Sequence, residues 1–146
     1  MKLVPKATYL SMIKQSVGAQ MFRNNYALIE GVQKDILDDG ELSCAFYVSF
    51  LLHAFDLIEE LHARTTGTVK DLERSGWRKT DTPHEGDIVV WEEQMQKSGI
   101  FPHIGFYVDS ENAISHRDTH RTPIAHSLTF DGTRNVTAYY THDFLA

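Results

Sequence analysis

The chain has 146 residues, with 20 acidic and 14 basic side chains, 8 histidines, 1 cysteine and a hydrophobic fraction of 42%. That length suits one domain that buries about two-thirds of its unfolded surface, and a lone cysteine excludes an intrachain disulfide framework or a multi-cysteine zinc module. A formal charge of −6 argues against a nucleic-acid surface, and no apolar run is long enough for a secretory core or a membrane span.

We therefore expect a soluble chain made in the cytoplasm, with no nucleic-acid or membrane partner; delivery outside the cell would need a route other than a signal peptide. No internal repeat or linker interrupts the sequence, so residues 1–146 read as a single domain. Tyr9, Met12, Ile13, Val17 and Met21 recur at three- and four-residue steps and predict an amphipathic helix over 6–22. Leu28, Ile29, Val32, Ile36 and Leu37 give a second helical stripe over 26–38, closed by Asp39-Gly40. Ser43 is placed to cap a long central helix running to about Ala63, and Thr68 with Asp71 suggests a capping box for a short helix ending near Ser75-Gly76. Residues 30–60 concentrate eight acids against Lys34 alone, a solvated face or one favouring a cationic ligand.

From Asp87 onward the period changes. Asp87–Trp91, His103–Val108, Ala113–His116, Ile124–Phe130 and Asn135–Thr141 are short β-prone runs separated by turn residues. Helices first and a strand meander afterwards imply an α+β fold, with N-terminal helices packed on a C-terminal antiparallel sheet of about five strands.

Three residues carry the chemistry. Cys44 falls in the first turn of the central helix, where unpaired N–H groups and the helix dipole favour a thiolate, although Asp38, Asp39 and Glu41 oppose it. His103 opens a strand that puts Ile104, Phe106 and Val108 on one face and His103, Gly105 and Tyr107 on the other. Gly105 leaves room there for another backbone, such as a helix terminus. Pairing Val108 with Ala113 across Asp109–Asn112 makes His116 a diagonal neighbour of His103 on one face, about 7 Å away at Cβ. An odd-length loop would put the two on opposite faces. In the first register His116 holds the ring of His103 while His103 takes the cysteine proton.

The segments Gly40-Glu-Leu-Ser-Cys44-Ala-Phe-Tyr-Val48, His84-Glu-Gly-Asp87-Ile-Val-Val-Trp91, His103-Ile-Gly-Phe-Tyr-Val108 and Ile114-Ser-His116 together resemble the NlpC/P60 family of papain-like cysteine peptidases. Phe46-Tyr47-Val48 is also similar to the related CHAP amidases. The resemblance spans about residues 40–120 and implies a papain-like core. It further implies Cys44 as nucleophile, His103 as general base, His116 as the ring-orienting residue, and no cofactor. The substrate would be a small peptide or a cell-wall peptide with a scissile amide bond. Substrate-binding candidates are Tyr26 on the oxyanion side, Ser43 beside the nucleophile, and Trp91 as a groove wall.

The chain departs from the family's Asp-Cys-Ser-Gly by reading Ser43-Cys44-Ala45-Phe46, and it lacks the upstream Tyr-x-Gly-Gly segment. Those departures keep open an inactive binding module with the same fold, or a relative that transfers the acyl group to an amine. A metal held by His116, Asp118, His120 and His126 is the rival reading of the histidines. The sequence sets no oligomeric state.

Overall fold

Pro5 starts the first helix, where its missing N–H costs nothing. The computed structural model describes residues 1–146, and this helix, α1, runs Pro5–Gln15 and buries Tyr9 and Ile13 one turn apart. It stops short of the expected residue 22 because Gly18 adopts a left-handed backbone (φ 83°).

The predicted second helix is instead a hairpin of β1, Tyr26–Ile29, and β2, Val32–Asp35. Glu30 (φ 51°) and Gly31 (φ 78°) both take the positive φ of a two-residue primed turn, which matches strand twist. Leu28, Ile29 and Val32, whose spacing suggested a buried helical face, are exposed on this ribbon.

The central helix α2 runs Cys44–Ala54 and buries Ala45, Phe46, Tyr47, Val48, Ser49, Leu51 and Leu52, an almost complete apolar girdle. It ends nine residues before Ala63. Asp56 turns left-handed (φ 55°), and the Leu57 N–H returns to the Leu52 carbonyl at 3.0 Å, so that Leu57 is buried as a C-terminal plug. Helix α3, Thr65–Arg74, begins earlier than expected. Thr68 lies inside it, bonding the Arg64 carbonyl, so no capping box forms. Asp71 serves a different purpose: it accepts the Glu59 and Glu60 N–H groups, the Ser75 hydroxyl and His62 Nε2, tying the 59–62 loop to α3. Burial alone would raise this carboxyl, yet those donors hold it at about 2.

The second half forms a six-stranded antiparallel sheet in the order β3-β8-β4-β5-β6-β7. Its strands are β3 Arg78–Lys79, β4 Ile88–Gln96, β5 Gly99–Tyr107, β6 Asn112–Arg117, β7 Thr122–Ser127 and β8 Val136–Thr141. The strand beyond the expected five is β3, a two-residue edge paired to β8. Alternation along the strands sends Ile88, Val90, Ile104, Phe106, Ile114 and Tyr140 into the main core with α1 and α2. The opposite face holds Val89, Trp91 and Ala113 in a smaller core covered by Leu128 and Phe130.

The β5–β6 register differs from the expected one by a single residue. Asp109 Oδ1 accepts the Glu111 and Asn112 N–H groups, and the Val108 N–H bonds the Asn112 carbonyl. Val108 thus faces Asn112 across the turn 109–111, an odd length, and Tyr107 rather than Val108 pairs with Ala113. His116 consequently joins the helix-facing side, opposite to that of His103. Only Phe106↔Ile114 and Tyr107↔Ala113 pair, so β5 and β6 part toward the start of β5.

Gly105 sits at this parting. A Cβ there would lie 2.7 Å from the Ile114 carbonyl oxygen, 2.7 Å from Ser115 Cβ and 3.1 Å from the Trp91 ring. The room it leaves is for β6 and Trp91 rather than for a helix terminus. Because one of the clashing atoms is backbone, Gly105→Ala should destabilise the fold by about 1–3 kcal/mol, measured as a lower urea midpoint at unchanged m-value.

Candidate active site

The first residue of a helix has a free N–H and stands at the positive end of the dipole. Cys44 occupies that position in α2, with Ser43 as the N-cap residue. Its sulfur lies 3.8 Å from Thr65 Oγ1 at the start of α3. Burial pushes the Cys44 thiol up, while Thr65, the Ile104 and Ala45 N–H groups and the Arg134 charge pull it down, leaving a net rise.

His103 is buried in the middle of β5, its ring 5.2 Å from that of Trp91. Its Nε2 is 2.8 Å from Ser115 Oγ, and the same oxygen is 2.6 Å from His126 Nε2. His126 Nδ1 in turn donates to the Ser127 carbonyl at 2.7 Å. Desolvation drives the pKa of His103 well below the ordinary histidine value, and the positive charges of Arg134 and Arg117 add to the effect. His103 Nδ1 has no partner within the protein.

Cys44, His103, Thr65, His116 and Arg134 all line one cavity of about 650 Å³. Arg134 is pinned by the Glu92 and Phe101 carbonyls, both at 2.9 Å, and forms no ion pair with an acid. Its charge pulls the Cys44 thiol down, and Glu92 and Asp118 act on it in turn without a direct ion pair.

The other candidates named from the sequence take different roles. His116 is 2% exposed, with its ring beside Tyr47 and neither nitrogen hydrogen-bonded. The group bonded to His103 is Ser115, one residue earlier, because the register moved by one. Ser43 is buried with an unpartnered hydroxyl. Tyr26 is 61% exposed on the β1–β2 ribbon and does not line the cavity. Trp91 is fully buried, its Nε1 donating to the Leu128 carbonyl at 2.7 Å, so it backs His103 instead of walling a groove. The metal reading loses its geometry: His116 and His126 lie on opposite faces, and no three His, Cys, Asp or Glu side chains converge.

Sequence reasoning missed Thr65, Ser115 and Arg134 and used His126 only as a possible metal ligand. Ser115 becomes visible only with the Asp109 turn, an Asx-type signal that the Asp-Ser-Glu-Asn run does carry. Arg134 and Thr65 come from distant elements and leave no local mark.

An α+β chain of three helices and two antiparallel sheets, enclosing this cavity, is consistent with a compact hydrolase. The sequence profile of the bacteriophage peptidoglycan hydrolase family (Amidase_5) matches residues 38–142, from just before Cys44 to the end of β8, and the chain belongs to that family. Membership supports hydrolysis of an amide bond in the cell wall. A search of curated proteins finds no match.

Burying His116 has a consequence for stability. Desolvation lowers its pKa from 6.5 to about 4, with the Arg23 charge acting in the same direction. Between those values the unfolded chain binds more protons than the folded one, so stability is full above about pH 6.5 and falls as the pH drops toward 4. The shift corresponds to at most about 3–4 kcal/mol. His116→Phe should therefore lose less stability than wild type between pH 7 and pH 4.5, read from urea midpoints at each pH.

Proposed function

We propose that the chain cleaves an amide bond in cell-wall peptides by covalent catalysis, with Cys44 as nucleophile and His103 as general base, as in NlpC/P60-type peptidases. The observation that carries this reading is the opening of a helix-terminal thiol and a strand-borne imidazole with a free Nδ1 onto one cavity.

The raised thiol and lowered imidazole make a neutral pair at rest, so the proton moves during attack. His103 Nδ1 takes the Sγ proton as sulfur bonds to the carbonyl carbon. First-turn N–H groups of α2, starting with that of Cys44, stabilise the oxyanion. The imidazolium then gives its proton to the leaving amine as the C–N bond breaks, leaving a thioester on Cys44. Water attacks the thioester with His103 accepting its proton, and the acid leaves with the thiol restored. Arg134, a cation lining the cavity, suits a carboxylate on the peptide.

The raised thiol also favours a second reading, a binding module that retains the fold without turnover, and the Ala45-Phe46 departure after the cysteine is compatible with it. Clearing of purified bacterial cell walls separates the two. Cys44→Ala should abolish clearing, and His103→Ala should slow it by about 10²- to 10⁴-fold; equal rates in wild type and Cys44→Ala would remove the covalent mechanism. Alkylation of wild-type Cys44 by iodoacetamide should titrate at or above the ordinary cysteine value of about 8.5, and wall clearing should disappear in proportion to the alkylated fraction.

A further inference from the structure

The hydrogen bonds behind His103 admit one consistent set of protons. The Ser127 carbonyl can only accept, so His126 Nδ1, 2.7 Å away, must carry a hydrogen. His126 is neutral near pH 7, since desolvation lowers its pKa to about 4, and its Nε2 is then a bare acceptor. Ser115 therefore donates its only hydrogen to His126 Nε2 at 2.6 Å. Its oxygen can serve His103 Nε2, at 2.8 Å, only by accepting. His103 must hold its proton on Nε2.

We infer that Ser115 and His126 are positioning residues which, anchored on the Ser127 carbonyl, keep the His103 proton on Nε2 and leave the Nδ1 lone pair free toward the cavity. The inference deepens the proposed function, since it rests on reading His103 as the base.

The packing is built to hold this relay still. His126 stacks on Phe130 with centroids 4.1 Å apart and ring planes 14° from parallel, and the Arg117 guanidinium lies 4.3 Å from the centre of the Phe130 ring. Trp91 contacts both imidazoles, at 5.2 Å from His103 and 5.6 Å from His126. Gly105, directly across from Ser115, supplies the space in which the hydroxyl reaches both rings. Of the two neutral tautomers, only Nε2–H leaves Nδ1 able to take a proton, so a loss of tautomer control removes the base without removing the imidazole.

The tautomer is directly observable by long-range proton–nitrogen correlation of the imidazole in the free protein. Wild type should show His103 as Nε2–H. Ser115→Ala and His126→Phe, the second retaining the aromatic stack on Phe130, should each move His103 toward Nδ1–H. On a soluble wall fragment, each should cut kcat by about 10²-fold with KM little changed. Ser115→Thr keeps a hydroxyl and should keep both the tautomer and the rate. A wild-type His103 in the Nδ1–H form, or a tautomer unmoved by both disruptive variants, would overturn the relay. The spectra need no substrate, so the two readings fail separately. An active Cys44→Ala would sink the covalent mechanism and leave the tautomer result intact, whereas an unmoved tautomer would sink the relay with Cys44 still essential.

Discussion

The turn closed by Asp109 between β5 and β6 sets the parity on which the site depends. Its carboxylate accepts two successive N–H groups and draws Asn112 into the strand, leaving an odd-length loop. Side chains alternate with period two, so this one residue decides which of two neighbours, Ser115 or His116, shares a face with His103. It also puts Ser115 across from Gly105, the position in β5 with no side chain to exclude it. With the opposite parity a buried imidazole would stand where a small hydroxyl now links two rings.

The second organising feature is the incomplete pairing of β5 and β6. Ladder bonds between them hold only near the turn, and toward the start of β5 the strands separate. The Ile104 N–H there pulls the pKa of the Cys44 thiol down against the effect of burial. The helix-borne thiol and the strand-borne imidazole line one cavity even though Ile104 faces the helix and His103 faces away from it. Main-chain geometry makes the meeting, and Trp91, Phe130 and Ser115 hold the imidazole in place.

Burial governs the electrostatics throughout. It raises the thiol, lowers three histidines and leaves His116 with two unpartnered nitrogens in the core. Unpaired buried polar groups cost about 1–3 kcal/mol each, so acid sensitivity is a built-in property of the fold. Arg134 is the counterweight near the site: its carbonyl-pinned guanidinium brings positive charge to bear on the sulfur. The family to which the chain belongs acts on peptidoglycan, a substrate whose peptides carry both amides and carboxylates.

The sequence alone determined the class of fold, because period-two and period-3.6 patterns survive translation into strands and helices wherever a core demands them. It also located Cys44 at a helix start, since Gly40 and Ser43 punctuate that boundary, and placed His103 on a strand, although β5 begins at Gly99 and His103 lies in its middle. It misread 26–38, where Leu28, Ile29 and Val32 mimic a helical stripe but the Glu30-Gly31 turn makes a ribbon exposed to solvent. Only the tertiary structure decided that Ser115 and His126, rather than His116, stand behind His103, and that Thr65 and Arg134 flank the sulfur. Those neighbours come from separate elements, and one residue of β5–β6 register decides between Ser115 and His116, while composition and spacing stay the same.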